Sequence, residues 1–260
     1  MGLESVDNMI GVGNTIAYFV GKVHLRSLLR EERNMNFIKA VVASSVGVLM
    51  LGGPLPFSAA DAADAPVYKP PSRGAPGGRV GGGTRGPQGN LFVLSVLAPD
   101  HSGFTTSEQP SLYWFISGST SLPVELTVMD PQGVQPILET RVPTPVKAGV
   151  QRMRLADYNV RLSPGAAYRW FVAVVPDADR RSKDILAGGA IERVETPEEL
   201  KAKLAQTAKK DLPSVYAEAG IWYDALGAIS DLIEAAPQDQ ELRKQRAAML
   251  AQVGLPTLSE

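Results

Sequence analysis

Two histidines and no cysteine set the chemistry that this chain of 260 residues can attempt. Without a thiol there is no cysteine nucleophile, thiolate metal site, iron–sulfur cluster, disulfide or lipidated cysteine anchor. His101 sits in the run Pro99-Asp100-His101-Ser102-Gly103, beside an acid and a hydroxyl. A Ser-His-Asp arrangement also needs an elbow that presents the serine, and no G-x-S-x-G segment occurs. Zinc and iron sites draw on several nitrogen or sulfur ligands, more than one imidazole supplies. His101 therefore reads as a polar loop residue. Glu108, Glu125, Glu139 and Asp157 lie on or near strand-like segments, yet nothing in their spacing pairs two of them for acid–base work. Asp177-Ala178-Asp179 is far short of a calcium loop and reads as a solvated turn. Gly81, Gly83 and Gly86 match G-x-G-x-x-G, but they precede a strand rather than open a helix, so no pyrophosphate cradle is expected. The expectation is a non-enzymatic protein without catalytic residue, metal or cofactor.

The segments that must position these residues begin at Leu91. Short β-rich runs follow one another: Leu91 to Leu97, Ser111 to Ser117, Val124 to Met129, Val134 to Arg141, Val150 to Leu155, Ala167 to Val175 and Ala190 to Val194. Asp130-Pro131-Gln132-Gly133 places Pro and Gly where a tight turn needs them. Seven short strands without interleaved helices predict an antiparallel sandwich over residues 91–195, of the immunoglobulin or fibronectin type III kind. The run Leu162-Ser163-Pro164-Gly165-Ala166-Ala167-Tyr168 resembles the corner before the sixth strand of those domains, where a tyrosine hydroxyl bonds back to the corner backbone. Tyr168 is then structural, and Trp170, on the same face, belongs to the core.

Residues 196–260 change to a helical period. Thr196-Pro197-Glu198-Glu199 predicts a capping box, with Leu200 and Leu204 as the apolar stripe behind it. Tyr216, Gly220, Trp222, Ala225, Ile229, Leu232 and Pro237 have the spacing of a single tetratricopeptide-like hairpin, and Gln240 to Val253 forms a further amphipathic helix. One such repeat cannot bury its own face, so the hairpin is expected to pack on the sandwich or the flanking helices. Trp114 and Trp222 read as core. Adjacent aromatics cannot share one face, which leaves Tyr113 and Tyr223 as candidate partner-binding residues.

The N-terminal residues 1–62 read as an extension and signal peptide. Ala40 to Leu51 is unbroken and apolar, long enough for a signal core and too short to span a bilayer. Arg26, Arg30, Arg33 and Lys39 precede it; Ala60-Asp61-Ala62 supplies a cleavage pattern, and Met35 would start a leader of ordinary length. Cleavage after Ala62 would leave 21 basic and 22 acidic residues, exported to the periplasm or beyond, with membrane contact only through an uncleaved leader. Near-neutral charge gives no field for nucleic acid. Residues 63–90 form a Gly/Pro-rich linker: 13 of the 25 residues from Pro66 to Asn90 are Gly or Pro. It reads as a solvated, flexible arm. Its Arg79 and Arg85 are candidate contacts to a partner or a polyanion.

Taken in order, GAPGGRVGGGTRG (Gly74 to Gly86), TTSEQPSLYWFIS, RLADYNVRLSPGAAYRW, IERV and AGIWYDALGAISDLI resemble a bacterial exported family, the domain of unknown function DUF928. The resemblance spans roughly Arg73 to Leu255 and implies the exported, two-part architecture without an activity. Three roles remain: an adaptor that binds another envelope protein or an extended peptide, a binder of envelope polysaccharide or peptidoglycan, and a carboxylate-based hydrolase.

Overall fold

The computed structural model describes residues 65–72, 79–81, 83–85 and 91–255, a mixed α+β architecture with four C-terminal helices. The expected leader over residues 1–62, with Met35 and the cleavage site, lies outside the described residues, as does Gly86. Among the described residues, ten strands form two sheets. β1 (Val80–Gly81), β10 (Ile185–Arg193), β9 (Ala167–Val174), β6 (Val124–Met129) and β7 (Pro136–Val142) run in that order, with β4 (Gly103–Thr105) joining along β10. The second sheet runs β2 (Gly83–Arg85), β3 (Leu91–Val96), β5 (Ser111–Ile116), β8 (Gly149–Arg154). Every pairing is antiparallel except β4 with β10, where Ile191 lies opposite Gly103.

Alternation in β6 and β9 shows why the sheets bury one face. Val124, Leu126 and Val128 sit opposite Val174, Val172 and Trp170, so the apolar rows of the two strands coincide. β3, β5 and β8 add Leu94, Val96, Leu112, Trp114, Ile116 and Met153 to the same core. At about 25 cal/mol per Å², each buried tryptophan contributes roughly 4–6 kcal/mol of transfer free energy before entropy is counted. The expected corner is present: the Ser163 N–H donates to the Tyr168 hydroxyl oxygen at 3.0 Å. The Asp130–Gly133 turn closes as well, with the Gly133 N–H donating to the Asp130 carbonyl at 2.9 Å.

The helices are α1 (Glu198–Gln206), α2 (Leu212–Glu218), α3 (Trp222–Ala235) and α4 (Gln240–Ala251). α1 starts after Pro197 without a side-chain cap, so the predicted Thr196 capping box does not form. Asp239 does cap α4, accepting from the Glu241 and Leu242 N–H groups. α3 packs directly on the strands: the Trp222 indole N–H donates to the Leu97 carbonyl at 2.9 Å.

The linker expected over residues 63–90 is not a solvated arm where it is described. Tyr68 is 6% exposed, with its ring edge-on to Trp222 at 4.9 Å. The Tyr68 N–H donates to the Gln252 side-chain oxygen at 2.8 Å, and the Gln252 amide donates back to the Pro66 carbonyl. The Lys69 N–H reaches the Ala217 carbonyl at 3.0 Å. One aromatic anchor and satisfied backbone groups hold this segment despite its Gly/Pro content.

Candidate functional site

α3 carries two faces, and the second makes a groove. Trp222, Ala225, Leu226, Ile229 and Ile233 point into the core. Asp224, Gly227, Ala228, Asp231, Leu232 and Ala235 recur on another side at helical spacing and line an open groove of about 520 Å³. That volume falls in the usual range for ligand pockets, about 300–1,000 Å³. Leu212 and Tyr216 of α2 continue the apolar wall. The facing wall is polar, built by Thr105, Ser107, Gln109 and Ser111 around β4 and β5, with Arg152 of β8 and Lys209 at the rim.

Asp224 joins the two walls. The Thr106 N–H donates to its Oδ2 and the Thr106 hydroxyl to its Oδ1, both at 3.0 Å. Burial raises its carboxyl above the ordinary value of 3.8, although bonds from Thr105 and Thr106 pull the other way. Arg152, 18% exposed, spans from sheet to helix. Its Nε donates to the Ser111 hydroxyl at 3.0 Å, and Nη1 reaches Asp231 at 2.6 Å and Glu234 at 3.1 Å. The guanidinium also covers the Tyr113 ring, 5.5 Å from its centroid.

Tyr113 and Tyr223, the aromatic partner-binding candidates, are each only 1% exposed, so neither offers a solvent-exposed ring, although Tyr223 contributes to the groove lining. α3 lies over β5 as a further layer, so the face of β5 opposite the inter-sheet core is also covered. The Tyr113 hydroxyl is buried beside the Ser111 and Ser230 hydroxyls and Asp231, with no hydrogen bond of regular geometry. Tyr223 accepts from the Trp170 indole N–H at 2.9 Å and donates to the Ala190 carbonyl at 3.0 Å. Its ring leaves no room for a side chain at Gly103, where a Cβ would lie 2.7 Å from Cε2. Burial pushes its phenol well above the ordinary range.

Arg79 is spent within the fold. Its guanidinium donates to the carbonyls of Ala98, Val253 and Gly254 at 3.2, 3.1 and 3.5 Å, locking the linker to the end of α4. Arg85 is the last residue of β2, paired with Leu91. His101 is more than a polar loop residue: it is 17% exposed and stacks on Tyr68 with an interplanar angle of 8°. Its Nδ1 is 3.3 Å from Asp100 Oδ1, and its Nε2 is 2.9 Å from the Tyr68 hydroxyl. In the neutral imidazole tautomer with its proton on Nδ1, facing Asp100, Nε2 is the acceptor for the Tyr68 hydroxyl.

The four candidate carboxylates are scattered. Glu108 pairs with Arg161 and lies 4.0 Å from Arg193. Asp157 is exposed on a one-turn 3-10 helix (Leu155–Tyr158). Glu125 and Glu139 do meet on the outer face of β6 and β7, around a shallow pocket of about 260 Å³ with Phe171, Arg181 and Asp184. The Arg181 hydrogen bond holds Glu125 below the ordinary glutamate value of 4.5, against a smaller opposing effect of burial. Asp177 accepts from the Asp179 N–H and pairs with Arg180 and Lys183, the solvated turn expected.

Comparison with known families assigns the chain on residues 80–260, which match one family description. It belongs to the Domain of Unknown Function DUF928 family. The match begins at β1, so the docked Tyr68 segment precedes the part that this DUF928 chain shares with its family description. No curated protein matches the chain. Among solved structures, it matches a crystal structure of an engineered protein at 10% identity and a TM-score of 0.27, over 40% of this chain and 20% of that one.

The groove residues Asp224, Asp231, Arg152 and Lys209 escape a motif search because they come from separate elements. A trace of them is visible in IWYDALGAISDLI, where Asp224, Gly227 and Asp231 fall near one angular position of a largely apolar helix.

Proposed function

We propose that this DUF928 protein is an exported, non-enzymatic adaptor of the cell envelope that holds an extended polypeptide segment of a partner in the groove along α3. The observation that carries the reading is the pairing of unlike walls. The polar residues Ser107, Gln109 and Ser111 and the apolar Leu212, Tyr216 and Leu232 line one open channel. An extended chain offers backbone polar groups on its edges and alternate side chains to each wall. The leader-like residues 1–62 support export. The Tyr168 corner favours an immunoglobulin or fibronectin-like description of the sheets, and the turn at Gly220 between α2 and α3 favours a tetratricopeptide-like one for the hairpin.

A photo-crosslinking residue in place of Gly227 tests the groove in cells, because a Cβ there meets no atom within 4 Å. The expected product is a single partner segment, identified by mass spectrometry and absent when the crosslinker replaces Val134, an exposed turn residue. Identical products from both positions, or none, would overturn the groove reading.

The outer-face pocket supports a second reading, an envelope glycan or peptidoglycan contact. A half-buried Phe171 ring flanked by Glu125, Asp184 and Arg181 presents a flat apolar surface among planar hydrogen-bonding groups. Loss of retention on peptidoglycan or polysaccharide in Phe171→Ser, with retention by the native chain, is the result that would favour it.

A further inference from the structure

The charges around the groove do not all cancel. Asp231 and Glu234 share Arg152, and Arg154 reaches the second oxygen of Glu234 at 3.5 Å. Two opposite charges then remain without an ion-pair partner among the described residues. Asp224 has hydrogen bonds from Thr106 and no cation. Lys209, exposed on a one-turn 3-10 helix (Lys209–Asp211), has no anion. A partly buried carboxylate without a counter-ion is destabilised relative to a solvated one, and an arriving ammonium group would relieve that cost.

The groove has the reach of a chain rather than of one amino acid. Asp224 and Ala235 both line it, and the eleven helical steps from one to the other span about 16 Å at about 1.5 Å per step. That length accommodates about five residues of extended polypeptide at about 3.3 Å each. A neutral glycan would leave both charges unanswered. We propose that the groove selects a polypeptide segment that sets an ammonium group against Asp224 and a carboxylate against Lys209. The proposal rests on the reading of the groove as a peptide site and names what that site recognises.

End-capped, dye-labelled peptides of alanine and serine, carrying one lysine and one glutamate at varied spacing, test it by fluorescence anisotropy on the full chain. One spacing is expected to bind. Acetylating its lysine Nζ, or replacing its glutamate with glutamine, should each weaken it about tenfold, equivalent to about 1.4 kcal/mol. Lys209→Gln, which breaks no side-chain hydrogen bond or ion pair among the described residues, should abolish the preference for glutamate and leave the preference for lysine. Asp224→Asn should do the reverse; if it disturbs the fold, the acetylated peptide on the native chain still decides. Equal binding of acetylated and free peptides, no binding at any spacing, or binding of a peptidoglycan stem peptide in preference to every linear peptide would overturn the proposal. A partner segment crosslinked from position 227 together with indifference to acetylation would remove the charge selection and leave the groove reading intact. Failure of both experiments removes both.

Discussion

Two buried tyrosines give opposite expectations for the same substitution. The Tyr223 hydroxyl accepts from Trp170 and donates to Ala190, so Tyr223→Phe strands a buried indole N–H. An unpartnered buried donor costs about 1–3 kcal/mol, and the urea midpoint should fall by that amount divided by the slope, with the slope itself unchanged. Tyr113 has only poorly aligned contacts to Ser111 and Ser230, so Tyr113→Phe gives up no well-formed bond and should be neutral or stabilising by up to about 1 kcal/mol. Equal losses at both positions would show that the hydroxyls are not distinguished by these bonds. At this scale the sequence is informative for Trp114, Trp170, Trp222 and Tyr168, whose positions follow from strand alternation and a local corner. It misleads for Tyr113 and Tyr223, because alternation reports two faces and says nothing of an additional layer laid over one of them. Glu125 gives a pH test. Its folded value is lowered by Arg181, so its stabilising contribution is complete above the ordinary glutamate value and disappears as pH falls through the lower folded value. Glu125→Gln should therefore be less stable than the native chain at neutral pH and indistinguishable from it in strong acid, as read by thermal melts across pH.

Among the elements, the docked segment before β1 is the one that composition conceals. Its proline and glycine content argues for a free arm, and one aromatic reverses the outcome. Tyr68 fills a site against Trp222 and His101, while Gln252 closes a two-bond clasp on the Pro66 and Tyr68 backbone. Tyr68→Ala removes a buried aromatic and should cost about 3–5 kcal/mol if the site cannot collapse. Hydrogen exchange at the Lys69 amide, now bonded to the Ala217 carbonyl, should accelerate more than exchange in β6. The other side of this clasp is Gly220, with φ of 75° and a would-be Cβ only 2.8 Å from the Lys69 carbonyl oxygen. Gly220→Ala should cost at least about 1–2 kcal/mol and release the same segment, seen as early proteolytic cleavage near Pro70. The helices themselves are legible from Leu200, Trp222 and Leu242 at helical period. The start of α1 is less so, since Pro197 occupies the cap position that the pattern assigns to Thr196.

At the scale of the molecule, the division into a sandwich over 91–195 and a helical region over 196–260 describes the chain's order better than its core. Trp170 of β9 and Trp222 of α3 belong to one buried cluster with Tyr68, Leu97 and Met249, so sheets, helices and the docked segment share an interior. The hydrogen bonds crossing that boundary are buried as well: Trp222 to Leu97, Trp170 to Tyr223 and Tyr223 to Ala190. A fragment ending at residue 195 would expose the face of β5 that α3 covers and strand the Trp170 indole and the Thr106 amide, which now faces Asp224. Penalties of about 1–3 kcal/mol for each stranded group, added to lost apolar burial, are large against a total stability of about 5–15 kcal/mol. The fragment should bind a hydrophobic dye and lack the near-ultraviolet circular dichroism of packed tryptophans, and the fragment 196–260 should be largely unfolded. The chain that includes the Tyr68 segment should unfold in one transition, with tryptophan fluorescence and far-ultraviolet dichroism superimposing. Two separated transitions, or a cooperatively folded fragment 91–195, would mean that the sheets hold their core without α3. The groove would then be an interface between two independent bodies, and ligand binding there should stabilise only the interface.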